Sequence, residues 1–197
     1  MGTVKTESFA TTHTFEAYRR GTKRIQSADE VAEYGSGTAS TVTLTDAQKL
    51  IYAGERTWCY IKATAAIDAG DLVVRTAIAT DAFAGKPSDV GEKAAHNFLG
   101  VADHAIASGS YGWVICKGPC VVLAHSDVDA GEPLSSDGDT AAGSVGPLTG
   151  SSGSGAGAGN TVVAAELSGA ALGVSIEAEG ASAFGGDFVM ARIDIPA

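Results

Sequence analysis

Leu99-Gly100-Val101-Ala102-Asp103-His104-Ala105-Ile106-Ala107-Ser108-Gly109-Ser110-Tyr111-Gly112-Trp113-Val114-Ile115-Cys116-Lys117-Gly118-Pro119 reads as strand, turn, strand. Tyr111, Trp113, Ile115 and Lys117 alternate with Gly112, Val114 and Cys116, the period of two that a pleated strand imposes. Gly109-Ser110 supplies turn chemistry between the two arms. Gly118-Pro119 is expected to stop the pairing, because proline brings no amide to a central ladder. Nothing in the stretch is an obvious catalyst.

A shorter version of the unit closes the chain. Leu172-Gly173-Val174-Ser175 echoes Leu99-Gly100-Val101-Ala102, and Phe188-Val189-Met190-Ala191-Arg192 echoes Trp113-Val114-Ile115-Cys116-Lys117. Each copy has an acid-Ala-Gly-acid turn upstream, Asp68-Ala69-Gly70-Asp71 and Asp129-Ala130-Gly131-Glu132. Two related β units follow from this, the second carrying an inserted loop. The competing reading is that short Gly-rich turns look alike by chance.

The composition agrees with a β protein rich in turns. Hydrophobic residues make up 45% of the 197, enough for a core, yet aromatics are only 7% and there are 26 glycines. That balance favours tight turns over long helices. No apolar run is long enough to span a bilayer and no charged-then-apolar leader opens the chain, so the expectation is no membrane partner and synthesis in a cytoplasm. Three cysteines, Cys59, Cys116 and Cys120, argue against a disulfide framework.

Charge is segregated. Residues 1–24 carry Lys5, Arg19, Arg20, Lys23 and Arg24 against Glu7 and Glu16, a net +3 in a chain of −10, leaving −13 for the remainder. Between Lys117 and Arg192 there is no Lys or Arg. A body this acidic repels phosphate backbones, so nucleic acid is not an expected partner. A basic arm on an acidic body is the pattern of an interaction tail.

Taken in order, residues 1–40 read as an extended arm with Phe9, Phe15 and Tyr18 as apolar anchors and Arg19-Arg20-Gly21-Thr22-Lys23-Arg24 as a hairpin tip, Gly21 taking positive φ. Four like charges at one tip must be exposed or meet carboxylates. A short helix is expected over 28–34 and helical turns at 45–50 and 92–95. Strands are expected at 41–44, 58–63, 72–75, 120–124, 161–165 and 188–195, Cys120-Val121-Val122-Leu123-Ala124 being apolar throughout and so buried on both faces. The division is an arm at 1–40, a first β unit at 41–136, a flexible Gly/Ser-rich loop at 137–160, and C-terminal strands at 161–197. The fold class is mainly β, a small barrel or sandwich of short antiparallel strands. With few large side chains, assembly with copies of itself or a partner would add buried area.

The search for chemistry is mostly negative. Cys116 and Cys120 form C-x₃-C with no second pair at finger spacing, so buried small hydrophobes are the expected role. His13, His96, His104 and His125 are scattered, and His104 beside Asp103 reads as an exposed turn pair. No G-x-S-x-G elbow is present, and the Gly-rich run 153–159 lacks the Lys-Ser/Thr end of a phosphate loop. Asp127, Asp129 and Glu132, or Asp137 and Asp139, lack the spacing of a calcium loop. The expectation is no enzyme, no metal and no cofactor.

The run Phe98-Leu99-Gly100-Val101-Ala102 with Gly109-Ser110-Tyr111-Gly112-Trp113-Val114 and Gly118-Pro119, preceded by Ala69-Gly70-Asp71-Leu72-Val73, resembles the head decoration (capsid cement) proteins of tailed bacteriophages. The resemblance covers roughly residues 66–134 with an echo at 172–196. The basic arm and the Gly/Ser loop lie outside it. It implies a β-rich virion protein on the capsid exterior, trimeric or bridging neighbouring subunits of the major capsid protein and reinforcing the shell. In that reading Phe9, Phe15 and Tyr18 fill apolar grooves of the shell, while Arg19, Arg20, Lys23 and Arg24 meet its carboxylates. The alternative is a host- or glycan-binding β module of a tail or fibre, which an exposed aromatic cluster would favour.

Overall fold

The computed structural model describes residues 8–28, 54–77, 80–88, 97–124, 128–136, 142–147, 172–178 and 187–195. The helices expected at 45–50 and 92–95 and the strands at 41–44 and 161–165 lie outside these residues, as does all but the start of the helix at 28–34. The described residues form ten strands: β1 (Lys23–Gln26), β2 (Arg56–Ala63), β3 (Leu72–Ala77), β4 (Asp81–Pro87), β5 (Phe98–Ala102), β6 (Tyr111–Leu123), β7 (Pro133–Ser136), β8 (Val145–Pro147), β9 (Gly173–Ser175) and β10 (Phe188–Asp194). The protein is mainly β, as its alternation and turn content require.

The strands pair in the order β1-β2-β4-β3-β5-β6-β10-β9-β7-β8, with a further pairing of β2 to β6. That further pairing closes β2, β4, β3, β5 and β6 into a five-stranded ring. Its one parallel seam joins β2 to β4 at Lys62–Ala84 and Ala63–Gly85. Inside it pack Cys59, Ile61, Ala63, Val73, Leu99, Ala102, Val114 and Cys116. Gly85 brings no side chain to the point where Ile61, Val73 and Leu99 converge, which leaves room for them.

The ring is repeated. In the first copy Leu72 pairs with Val101 and Val73 with Gly100; in the second Pro133 pairs with Val174 and Leu134 with Gly173. Val73 faces Pro87 across β3–β4, and Leu134 faces Pro147 across β7–β8. The parallel seam recurs as a bridge between Ala124 and Val145. The acidic turns match bond for bond. Gly70 N–H donates to Ala102 O at 2.7 Å and Ala102 N–H to Asp71 O at 2.9 Å; Gly131 N–H donates to Ser175 O and Ser175 N–H to Glu132 O, both at 2.9 Å. Each turn is tied by its second acid, Asp71 Oδ2 accepting from Asp68 N–H at 2.8 Å and Glu132 Oε2 from Asp129 N–H at 2.9 Å. The echo seen in sequence is therefore a structural repeat. One alignment needs correction: Ala102 pairs with Val114 and Ser175 with Ala191, so Ala191, not Val189, is the counterpart of Val114. The slip is two residues, which leaves every side chain on its face.

β6 belongs to both rings. Its first half pairs with β2 and β5, its second half with β10 along 117–123. The unit boundary expected after residue 136 therefore falls within β6, and β7 belongs to the second ring. Pro119 does not stop the strand. Ile195 N–H donates to Cys116 O and Ala124 N–H to Asp187 O, so positions 117, 119, 121 and 123 are the non-bonded pairs with β10. The proline nitrogen thus faces away from β10, where no ladder amide is needed.

At the handover Trp58 pairs with Ile115 but Thr57 with Lys117, so Cys116 is an extra residue. This bulge switches the phase of alternation. Before it Trp113 and Ile115 face the outer core; after it Cys120 and Val122 take over that phase. Gly118 completes the bend with φ +105°, and a Cβ there would collide with Glu55 O. Val145, within the stretch expected to be loop, is buried in the second ring, which also holds Cys120, Val122, Ala124, Val128, Leu134, Ala191 and Ile193. That filling is continuous with the apolar outer face of the first ring, Trp58, Tyr60 and Trp113. Burial on both faces explains the unbroken apolar run Trp58-Cys59-Tyr60-Ile61.

Candidate interaction surface

Residues 8–28 run across the outer face of the first ring as a strap. Two backbone clamps hold them. His13 and Tyr111 exchange N–H···O bonds at 2.9 and 2.8 Å; Gly21 N–H donates to Tyr60 O at 2.8 Å and Tyr60 N–H to Thr22 O at 2.9 Å. The turn at 19–22 closes with Thr22 N–H donating to Arg19 O at 3.0 Å. Gly21 has the expected positive φ, +81°, and a Cβ there would strike the Phe83 ring.

Under the strap lies an aromatic floor of Trp58, Tyr60 and Trp113, all buried. Phe9 stacks on Trp58 with centroids 4.5 Å apart and an interplanar angle of 10°. Tyr18 stands edge-on to Tyr60 at 5.2 Å and tilted on Trp113 at 5.2 Å. The Arg24 guanidinium lies 4.6 Å from the Phe9 centroid and 5.4 Å from the Trp113 ring. Trp58 Nε1–H donates to Gln26 Oε1 at 3.0 Å. Stacking, cation–π contact and two clamps make the strap part of the fold.

Phe9 and Tyr18, expected to fill grooves of a partner, thus fill grooves of their own ring. Phe15 is 66% exposed and stays available, with its ring 5.8 Å from His13. The cations divide likewise. Arg19 is exposed at the turn. Arg20 is ion-paired to Asp81 and lies 3.5 Å from Glu16. Arg24 is committed to the aromatic floor. Lys23 is exposed on β1, where alternation puts it and the 64% exposed Ile25 on the face opposite Arg24 and Gln26. Trp58, Tyr60, Trp113 and Gln26 were not legible as the strap's seat; the only sequence signal was the aromatic density of Trp58-Cys59-Tyr60.

The cysteines and the Asp103–His104 pair are built into the packing. The three thiols are free and buried. Burial pushes Cys59 and Cys120 up to about 12, and raises Cys116. Cys116 and Cys120 face different rings, so they form no metal pair. Asp103 and His104 are buried, not an exposed turn pair. Both His104 ring nitrogens lack a hydrogen-bond partner and burial lowers the imidazole to about 4. Asp103 instead lies 3.9 Å from the buried Arg56 guanidinium, whose Nε–H donates to Pro119 O at 2.8 Å and pins β2 to the bend in β6. Glu132 and Asp129 are joined within their turn, while Asp127, Asp137 and Asp139 lie outside the described residues. No metal-holding group of His, Cys, Asp and Glu occurs among the described residues.

No protein-family model matches the chain, and no curated protein matches it in sequence. Among solved structures, the N base of the head fibre gp8.5 of bacteriophage phi29 superposes with a TM-score of 0.43 at 18% identity, over 70% of this chain and 92% of that one. Similarity at that level transfers neither fold nor role.

Proposed function

We propose that the protein is a structural virion component that decorates the exterior of a tailed-phage head and braces neighbouring subunits of the major capsid protein. The observation that carries this reading is the strap: a segment of net +3 on an acidic chain, locked to a closed ring, with Phe15 presented to solvent. A preordered surface loses little entropy on binding, and an exposed aromatic on a basic segment suits a protein partner. Phe15 and Arg19 are the contacts toward the shell. The sequence resemblance to cement proteins supports the same role. A glycan-binding role called for an exposed aromatic cluster, and the cluster found among the described residues is buried under the strap.

Mixing the purified protein with undecorated heads tests this. The expected outcome is saturation at a fixed copy number per lattice site, with heads that resist heat better, and loss of binding in Phe15→Asp. Heads left bare by the wild-type protein would overturn it.

A further inference from the structure

The strap and the floor beneath it are held by different means. Trp58, Tyr60 and Trp113 stand on β2 and β6, which are paired within the closed ring, and all three are buried. Residues 8–18 enter no strand. Their backbone meets the ring at the His13–Tyr111 bridge, and Phe9 and Tyr18 are only partly buried. A cover with few contacts on a rigid seat is the kind of segment that opens locally. The cover also leaves the seat incompletely satisfied. The Trp58 indole N–H donates to Gln26 Oε1, but the Trp113 indole N–H, buried among Phe9, Tyr18, Tyr60 and Arg24, has no acceptor. A buried donor without a partner costs free energy that an occupant bringing an oxygen to it recovers.

We propose that the aromatic groove under the strap is a binding site for an extended peptide bearing aromatic side chains, and that residues 8–18 hold it shut. A peptide is the occupant because the strap itself displays the contacts the groove makes. An extended backbone pairs with the N–H and C=O of Tyr111, one ring stacks on Trp58 beneath the Arg24 guanidinium, and a second stands against Tyr60 and Trp113. This is strand addition joined to aromatic anchoring. An incoming peptide that sets a carbonyl against Trp113 Nε1 gains a bond the strap does not make. The clamp of Gly21 and Thr22 on Tyr60, the Arg20–Asp81 ion pair and β1 stay in place, so the strap turns outward about Arg19. The inference does not rest on the head-decoration reading, because it concerns the isolated protein.

Titrating the full chain with a synthetic peptide of residues 8–18 tests this. The readout is the fluorescence of Trp58 and Trp113, the chain's two tryptophans. Phe9→Ala loosens the strap, so saturable binding with a blue shift is expected in that variant. Wild type, shut by its own strap, is expected to bind about ten-fold more weakly or worse, since only the open fraction is competent. A peptide keeping only the phenylalanine and tyrosine that match Phe9 and Tyr18, with threonine elsewhere, is expected to bind Phe9→Ala comparably. A peptide with both of those aromatics changed to serine is expected not to bind. Wild type gives a second readout, which decides if Phe9→Ala fails to fold. Saturating peptide displaces its strap and opens the chain to trypsin at Arg19, and the peptide itself has no Lys or Arg to be cut. Folded Phe9→Ala that ignores the peptide overturns the proposal, and so does binding that survives the loss of both aromatics. A wild-type strap that stays protected from trypsin in millimolar peptide also overturns it.

Discussion

Cys59 and Cys120 occupy the same place in two successive rings. Cys59 sits opposite Val114 across β2–β6, and Cys120 sits opposite Ala191 across β6–β10, in a repeat where Val114 and Ala191 correspond. Each thiol fills the interior beside the seam that closes its ring. Their retention as free thiols is thus a packing matter. Thiolate is the reactive species, and burial that holds both groups near 12 leaves almost none at neutral pH. None of Cys59, Cys116 or Cys120 is expected to react with an aromatic disulfide reagent in the native state, and all three should react in denaturant. Stoichiometric native labelling would contradict the burial.

Gly118 is where one ring hands its last strand to the next. Its φ of +105° is costly for any L-residue, and a Cβ would meet Glu55 O. Gly118→Ala is expected to destabilise by about 2–4 kcal/mol, combining backbone strain with a displaced strand. Gly131→Ala is the control: φ is +84° but nothing lies near its Cβ, so about 1 kcal/mol is expected from strain alone. Urea unfolding of the two variants measures the difference.

The repeat was legible because its turns need particular residues. Asp68-Ala69-Gly70-Asp71 and Asp129-Ala130-Gly131-Glu132 make the same bonds, and short-range chemistry shows in sequence. Closure was not legible, since the Ala63–Gly85 and Ala124–Val145 seams join residues with no distinguishing side chain. Pro119 misled because a single strand does not reveal which edge its nitrogen faces. Val145-Gly146-Pro147 was lost within a Gly/Ser-rich stretch, although Val145 packs in a core. Phe9 and Tyr18 were read as anchors for a partner because sequence shows that an aromatic seeks a surface, not whose surface it finds.

Two buried groups give opposite responses to pH. Asp71 lies against Gly143 where the rings meet, and burial raises its carboxyl from 3.8 to about 6. The folded state then holds a proton that the unfolded state releases between about pH 4 and 6, so this contribution is lost as pH rises through 6. His104, lowered from 6.5 to about 4, works the other way. The unfolded state takes up a proton that the fold refuses, so stability is lost as pH falls from 6.5 toward 4. Over pH 4–6 the two slopes oppose. Asp71→Asn keeps the acceptor for Asp68 N–H and removes the charge. It is expected to raise the melting temperature at pH 7.5, and to leave a protein that weakens more steeply than wild type below pH 6. His104→Gln should do the reverse, stabilising at pH 4.5. Identical melting profiles against pH for wild type and both variants would refute the assignment.

The strap should come off without the rings opening. Its seat rests on the Phe9–Trp58 stack, the Arg24 guanidinium over Phe9, and the two backbone clamps. Phe9 is half-buried, so Phe9→Ala removes part of a side-chain burial and one stacked pair, about 1–3 kcal/mol in all. The first ring keeps its own hydrogen-bonded circuit of β2, β4, β3, β5 and β6, which does not pass through residues 8–18. Limited proteolysis is therefore expected to cut Phe9→Ala within the strap, around Arg19 and Arg20, well before the rings, whereas wild type resists there. Trp58 and Trp113 fluorescence should shift to the red as the floor is wetted. Uniform loss of the whole chain to protease, with no strap-cleaved intermediate, would show that strap and ring unfold as one unit.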